Sequence, residues 1–570
     1  MSWLTMAACL VAAGMSALRW LRVAQREHYL PDATSRFAIR WWTSDPANAG
    51  ILAVALLGLV LVGRWPAAGL LTAVATGIGP VGLGLRGRTS PLAWTRRLRT
   101  LAAVSGAIAV VIVAGAAAYS LEAIAATAVA LAMPGIVDLG CYLTGPFERR
   151  AASRYVDLAA QRLRRVGPRV VAITGSYGKT STKRYITHLA DGSMAVVASP
   201  ASFNNRAGLA RAINEHLADG TDVFVAEMGT YGVGEIADLC SWIVPDIAVI
   251  TAIGPVHLER FGSEDRIVEA KSEILRTAPV VVLPVDDDRL RRLAMLGEEE
   301  GKRVIRCSVG RPAEADSQTE PNHRAETDLQ TESDQAGEAG GAGRTGIAGV
   351  APDLGVAPDL GVVPMGVRVV DRGGFLDVYA GGRLLTGDLK LTAHALNLAC
   401  AVAVALELGV EEGDIAGRLP TMPAVTHRLE MAESSSGCVV IDDTYNSNPA
   451  GARAALAALA AYGSSESGGA DGRRAVVTPG MVELGRRQAA ENERFATEAA
   501  RIATDLVVVG RTNRRALLAG ARRGAAADGG TAGCRVVVVP DRERAVAWVR
   551  ENLGAGDVVL YENDLPDHYP

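Results

Sequence analysis

Ile173-Thr174-Gly175-Ser176-Tyr177-Gly178-Lys179-Thr180-Ser181-Thr182 follows a β-rich run and precedes a helical pattern. Glycines at such a strand-to-helix turn let backbone N–H groups close around phosphates at a helix N-terminus. Lys179 can neutralise β- and γ-phosphates there, and Thr180 or Ser181 can ligate Mg²⁺. Only two residues separate Gly175 from Gly178, so the loop departs from the Gly-x-x-x-x-Gly-Lys-Ser/Thr spacing. A Gly-rich turn with a chance lysine is the competing reading. The strand–helix context favours phosphate binding, although the motif alone names no reaction.

Outward from this loop, short β-rich runs at 170–174, 223–226, 247–251, 280–284 and 304–309 alternate with helical segments. That alternation predicts an α/β domain with a largely parallel sheet. Residues 311–364 break the pattern: they are rich in Gly, Ala, Glu, Asp, Thr and Pro, and Val-Ala-Pro-Asp-Leu-Gly occurs at 350–355 and again at 356–361. They read as a disordered insertion. Strand signals return at 366–370 and 375–380, with a helix at 393–408. Five further strand signals after His427 suggest a smaller, doubly wound α/β domain.

The first 145 residues have a different character. Apolar runs occupy 3–18, 49–63, 66–85, 101–119 and 121–143, with a tight turn between the second and third at Arg64-Trp65-Pro66. Arg19, Arg22, Arg26, Arg36 and Arg40 fill the first loop, and Arg86, Arg88, Arg96, Arg97 and Arg99 the third. Arg149, Arg150 and Arg154 follow the last run, whereas the other loops hold only Arg64 and Glu122. No basic residue precedes the first run, which argues for a retained helix over a cleaved signal. The positive-inside rule then predicts about five spans, an outside N-terminus and a cytoplasmic remainder. Residues 148–166 read as a basic, partly amphipathic helix near the membrane surface. The expected division is a transmembrane region over 1–147, a helical linker over 148–168, a central domain over 169–425 and a C-terminal domain over 426–570.

Composition narrows the classes further. A net charge of −4 gives no global case for nucleic-acid binding. The seven cysteines are scattered, with no Cys-x-x-Cys pair, which speaks against structural zinc and a disulfide framework. They read as small buried apolar residues.

Several other segments could carry chemistry, each beside a plainer reading. Asn204-Asn205 is ordinarily turn or cap chemistry. Glu227, just beyond an apolar strand, would face the ligand crevice of an α/β sheet and could hold Mg²⁺; a solvent-facing loop glutamate is the alternative. His257 could be a metal ligand or a capped surface histidine. Lys271 reads as an ordinary helix lysine.

In order, Gly-Ser-Tyr-Gly-Lys-Thr, Phe-Asn-Asn, Glu-Met-Gly, His-Leu-Glu-Arg-Phe-Gly-Ser and Ala-Lys-Ser-Glu-Ile resemble the central domain of the Mur ligase family. Within it the likeness is greatest to the branch that adds D-alanyl-D-alanine to the muramoyl tripeptide. His394-Ala395-Leu396-Asn397, Thr426-His427-Arg428, Ile441-Asp442-Asp443-Thr444-Tyr445-Asn446-Ser447-Asn448-Pro449 and Met481-Val482-Glu483-Leu484-Gly485 extend the resemblance to about residue 560. It implies a P-loop-type central ATPase domain and a C-terminal α/β domain that together form an amide through an acyl phosphate, using ATP and Mg²⁺. By this likeness Gly175, Ser176, Tyr177, Gly178, Lys179, Thr180 and Ser181 would cradle ATP. Asn397 would contact adenine, and Arg428 and Asp443 would hold the nucleotide from the C-terminal side. Thr180 and Glu227 would serve one Mg²⁺, His257 and a carbamylated Lys271 a second, and Asn205 would lie near the transferring phosphate.

The pattern also departs from the family. His394 and Asn397 are three residues apart where four is usual. Thr478-Pro479-Gly480 replaces Leu-Gly-Asp, Asn492 stands where a histidine is expected, and residues 561–567 replace a lysine-bearing end. These last changes suggest an amine other than D-alanyl-D-alanine. The apolar helices take the place of a UDP-binding domain, which suggests a membrane-associated carboxylate such as a lipid-linked one. A polyglutamate-type synthetase and a nucleotide-binding membrane regulator are the other readings; intact Lys179, Glu227, His257 and Lys271 argue against the regulator.

Overall fold

The computed structural model describes residues 2–84, 92–200, 203–310, 366–372, 375–390, 394–423, 430–444, 447–462, 472–527 and 533–565. The expected insertion at 311–364 and Arg428 therefore lie outside the described residues.

The N-terminal part is helical: α1 (Ser2–Arg26), α2 (Ala33–Ser44), α3 (Pro46–Leu61), α4 (Gly69–Ile78), α5 (Arg96–Ala117) and α6 (Glu122–Val166). Among the described residues, α1, α5 and α6 are long and apolar enough to cross a membrane, or four spans if α2 and α3 form one broken span. Two of the five runs, 49–63 and 66–85, fall on α3 and α4, the pair expected to turn tightly at Arg64-Trp65-Pro66. At 16 and 10 residues, α3 and α4 fall short of the ~20 a spanning helix needs, and they pack together as a hairpin about Arg64–Pro66. Three spans keep the parity of five, and four reverse it.

Arg19 is not in a loop. It lies within α1, and its guanidinium donates to the carbonyls of Thr76 (3.1 Å), Gly77 (2.5 Å) and Gly79 (2.7 Å), closing the C-terminus of α4. Gly69 lets α4 approach its neighbours: a Cβ there would come within 2.5 Å of Thr5 and 2.7 Å of Thr127. Asp138, buried midway along α6, accepts from the backbone N–H groups of Thr34 (3.1 Å) and Ser35 (2.7 Å) at the start of α2.

The segment expected as a separate surface linker is the end of α6. One continuous helix of 45 residues runs from the apolar bundle to Val166. Val156, Ala159 and Leu163 are buried against Leu209 and Ile213 of the next domain, so this part belongs to a protein core.

The next sheet has nine strands: β1 (Arg169–Thr174), β2 (Val196–Ala198), β3 (Val223–Glu227), β4 (Ile247–Ile250), β5 (Val280–Pro284), β6 (Arg303–Gly310), β7 (Val367–Asp371), β8 (Leu376–Ala380) and β9 (Arg383–Leu389). Their order is β2-β3-β1-β4-β5-β6-β7-β8-β9; β2 through β7 run parallel, and β8 and β9 are antiparallel. One face buries α7 (Lys179–Ala190) and the helix Ala395–Leu408. The other buries α8 (Arg206–His216) and the end of α6. Cover on both faces explains the nearly unbroken apolar runs of β1, β3 and β4.

The second sheet has six strands: β10 (Glu430–Glu433), β11 (Val439–Asp443), β12 (Arg474–Thr478), β13 (Asp505–Val509), β14 (Arg535–Val539) and β15 (Val558–Glu562). Its order is β10-β11-β15-β12-β13-β14, parallel except for β10. The short strand β2 and the edge strands β9 and β10 carried too little apolar pattern to be read from sequence. All seven cysteines are free, and all but Cys534 are buried.

Candidate active site

The carboxyl ends of β1, β3 and β4 lie side by side at the middle of the first sheet, Ile173 opposite Glu227 and Thr174 opposite Ile250. The chain leaves β1 through Gly175 and enters α7 at Gly178, whose φ of +85° is in the left-handed region that favours glycine. A Cβ on Gly178 would fall 2.2 Å from Asn397 Oδ1, so the loop presses against the start of the helix carrying Asn397. Ser176 is used structurally: its hydroxyl donates to Gly254 O at 3.0 Å and accepts from Gly254 N–H at 3.0 Å. The Tyr177 ring lies against Gly254, and burial raises its hydroxyl pKa. Ser181 is buried on α7.

Four side chains gather around the loop. Lys179 Nζ donates to Gly175 O at 2.7 Å, and Lys271 Nζ donates to the same oxygen at 3.0 Å. Thr180 Oγ1 donates to Glu227 Oε2 at 3.0 Å. Glu227 is only 4% exposed. Burial alone would raise its carboxyl, but the Lys183 and Lys179 charges and the bonds from Lys183 and Thr180 hold it below the usual range. Lys183 Nζ stands 2.9 Å from Glu227 Oε2, with both side chains about 95% buried. Lys271 is also buried; desolvation, then the nearby Lys179 charge, lowers its pKa well below that of an ordinary lysine. Lys183 and Lys179 thus act on one carboxylate while Lys271 holds the adjoining loop carbonyl, an environment suited to phosphate oxygens.

Lys183 was missed in the sequence. It follows Lys179 by four residues, so helical spacing already put both on one face of α7. Asn205 behaves as the plain reading of Asn204-Asn205 has it: it caps α8, accepting from Gly208 N–H at 2.9 Å. Asp443 is buried at the carboxyl end of β11, opposite Glu562. Glu562 is fully buried; desolvation raises its carboxyl to about 7 despite hydrogen bonds from Ser447 and from Thr478 Oγ1 (2.7 Å). His394 stands at the N-cap of the Asn397 helix. Asn492 donates to Met481 O at 2.9 Å and accepts from its N–H at 2.7 Å, pinning the turn before Glu483.

His257 joins the two sheets. It has φ +58° at the start of a short helix, and its Nδ1 is hydrogen-bonded to Glu483 of the C-terminal half. Burial would raise Glu483, but the His257 bond and charge keep it below the ordinary range. A histidine held by a carboxylate at Nδ1 presents Nε2 to a ligand.

The donor sets suit divalent cations. The Thr180 hydroxyl and Glu227 carboxylate are adjacent hard oxygens, and burial moves Lys271 toward the uncharged amine, the form that would react with CO₂ to give a carbamate. Among the described residues no three His, Cys, Asp or Glu side chains converge. An ion here would complete its shell with nucleotide oxygens and water.

Residues 173–339 match the Mur ligase middle domain, and residues 427–561 match the Mur ligase, glutamate ligase domain. The chain is 30% identical over 443 residues to the UDP-N-acetylmuramoyl-tripeptide–D-alanyl-D-alanine ligase of Mycobacterium leprae, covering 75% of this chain and 77% of that protein. It is 25% identical over 331 residues to the same-named enzyme of Bacillus subtilis, covering 58% and 60%. MurF from Thermotoga maritima in complex with ADP superposes with a TM-score of 0.52 at 21% identity, over 72% of this chain and 80% of that one.

Proposed function

As a member of the Mur ligase family this chain is an ATP-dependent amide ligase, and we propose that it joins the amine of an amino acid or dipeptide to a cell-wall-type carboxylate through an acyl phosphate. The single observation carrying this is the pair of lysines, Lys179 and Lys271, on one carbonyl of a phosphate-type loop beside the Thr180–Glu227 pair.

A carboxylate oxygen of the acceptor attacks the γ-phosphorus of ATP, and ADP leaves. The amine nitrogen then attacks the acyl carbon, the amide forms and phosphate departs. In such a transfer the protein supplies mainly position and charge. Lys179 is suited to the β/γ-oxygens, and Gly175, Ser176, Tyr177, Gly178 and Ser181 shape the cradle. Asn397, pressed against Gly178, is suited to the nucleotide's base. Asp443, with Arg428, would approach it from the second sheet. Thr180 and Glu227 would hold one Mg²⁺, and His257 and carbamylated Lys271 a second; Mg²⁺ neutralises phosphate charge. Asn205, seen as a cap, would reach the transferring phosphate only if its side chain turned from Gly208.

The helices α1, α5 and α6 support a chain held in the cell membrane with its ligase domains in the cytoplasm, where ATP is available. That arrangement favours a membrane-associated, lipid-linked acceptor. The 30% identity to a UDP-N-acetylmuramoyl-tripeptide ligase favours a second reading, D-alanyl-D-alanine addition to the soluble UDP-linked precursor.

ADP release from detergent-solubilised protein, with amino acids and dipeptides screened against each acceptor, tests both. Release with a lipid-linked muramoyl peptide and not with UDP-muramoyl tripeptide supports the first reading; the reverse supports the second. ADP release undiminished by Lys179→Ala would remove the catalytic assignment altogether.

A further inference from the structure

The helical region reaches the side chains packed around His257. Beyond the end of α1 the chain turns sharply, and His28 has φ +56°. The His28 ring stacks on Tyr231 at 5.6 Å between centroids and 29° between planes. Tyr231 in turn meets His257 edge-on, at 5.1 Å and 70°. The Arg260 guanidinium lies 4.6 Å from the centre of the Tyr231 ring and donates to Glu27 Oε2 at 2.9 Å. Arg260 N–H also donates to His257 O at 2.8 Å, so the arginine and the histidine are one turn of backbone.

Two features separate this cluster from ordinary packing. His28, His257 and Glu483 come from three parts of the chain, and each holds a left-handed backbone that non-glycine residues adopt at a cost of roughly 1 kcal/mol or more. Such conformations persist where surrounding contacts fix them, and they gather at functional sites. In addition, Arg260 Nη1 is buried without a hydrogen-bond partner among the described residues.

We propose that Glu27 and His28 are positioning residues of the ligase: they fix Tyr231 and Arg260 against His257 and so set the cation site that this histidine serves. The inference rests on the metal role of His257 given above. Glu483 orients the ring from its Nδ1 side, and the helical region orients it from the Tyr231 side. Partners of this outer kind change metal affinity by about 10- to 100-fold when removed. The N-terminal helices then act in catalysis as well as in location.

Mn²⁺ binding to the full chain in detergent, followed by electron paramagnetic resonance with a non-hydrolysable ATP analogue present, tests this without an acceptor substrate. Wild-type protein is expected to take up two ions. His28→Ala and Glu27→Gln should weaken the second ion by about 10- to 100-fold, leaving the first ion and the unfolding midpoint unchanged. His28→Phe, which keeps a ring against Tyr231, should restore it, and Arg40→Ala, which breaks the separate 3.2 Å contact with Glu259, should leave both ions bound. Unchanged second-ion affinity in His28→Ala and Glu27→Gln would overturn the positioning role. So would parallel weakening of both ions with a lowered midpoint, the mark of a structural brace. Wild-type protein taking up a single ion would overturn the metal role of His257, and the inference with it.

Discussion

Lys271 Nζ donates to Gly175 O at 3.0 Å, tying a helix lysine to a phosphate-type loop 96 residues earlier in the chain. Burial and the neighbouring Lys179 charge favour the neutral amine, the nucleophile that CO₂ requires. With ¹³C-labelled bicarbonate, a carbamate resonance should appear in wild-type protein and be absent from Lys271→Arg. ADP release by that variant should fall about 100-fold or more, the scale seen when one preorganised electrostatic group is lost.

The Lys183–Glu227 pair makes unequal demands on its partners. Glu227→Gln strands a buried ammonium, and such a loss costs about 3–5 kcal/mol. Lys183→Met together with Glu227→Gln removes both charges and should recover much of that loss. Thermal unfolding of the two variants measures the difference, and neither should turn over ATP at the wild-type rate.

Gly178→Ala should bind nucleotide poorly. The new methyl would meet Asn397 Oδ1 at 2.2 Å on a backbone of φ +85°, forcing loop and helix apart. Titration with ADP should show at least a roughly tenfold weaker affinity, equivalent to about 1.4 kcal/mol. Gly220→Ala, at a similar φ with open space around it, should leave affinity unchanged.

Glu562 gives the protein a pH-dependent stability of defined sign. Its folded pKa of about 7 lies above the ordinary 4.5. Its contribution is therefore fully present below pH 4.5 and declines as pH rises toward 7, by at most about 3 kcal/mol. Glu562→Gln keeps the shape without the titration. The unfolding midpoint of wild type should fall relative to that variant between pH 5 and pH 8. Parallel curves would show that burial leaves this carboxyl unperturbed.

Local chemistry made much of this site legible. The phosphate-type loop, Glu227 at a strand end and the alternating strands follow from glycine placement and from periodicity, and the structure puts Lys179, Thr180, Glu227 and Lys271 together. The ordinary reading of Asn205 as a cap also matches its geometry. What stayed hidden depends on contacts between distant segments. The Glu483–His257 bond spans 226 positions and Glu27–Arg260 spans 233, and neither leaves a local trace. The apolar runs at 49–63 and 66–85 read as a pair joined by a tight turn, and α3 and α4 pack as that pair, whereas the bonds from Arg19 to the α4 carbonyls, across 57 to 60 positions, left no local trace.

The continuous α6 has a mechanical consequence. From Leu143, near the end of its apolar half, to Val156, where it enters the ligase core, are thirteen residues of helix, about 20 Å of rise. A flexible tether of that length would let the enzyme wander; a helix limits that range, although Pro146, inside this stretch, removes one backbone hydrogen bond and leaves a place to bend. With the apolar half in a bilayer, the ligase would sit within about one such helix length of the headgroups. Acceptors would then be sorted by how far their carboxylate stands above the membrane, a ruler that no side chain in the pocket has to supply.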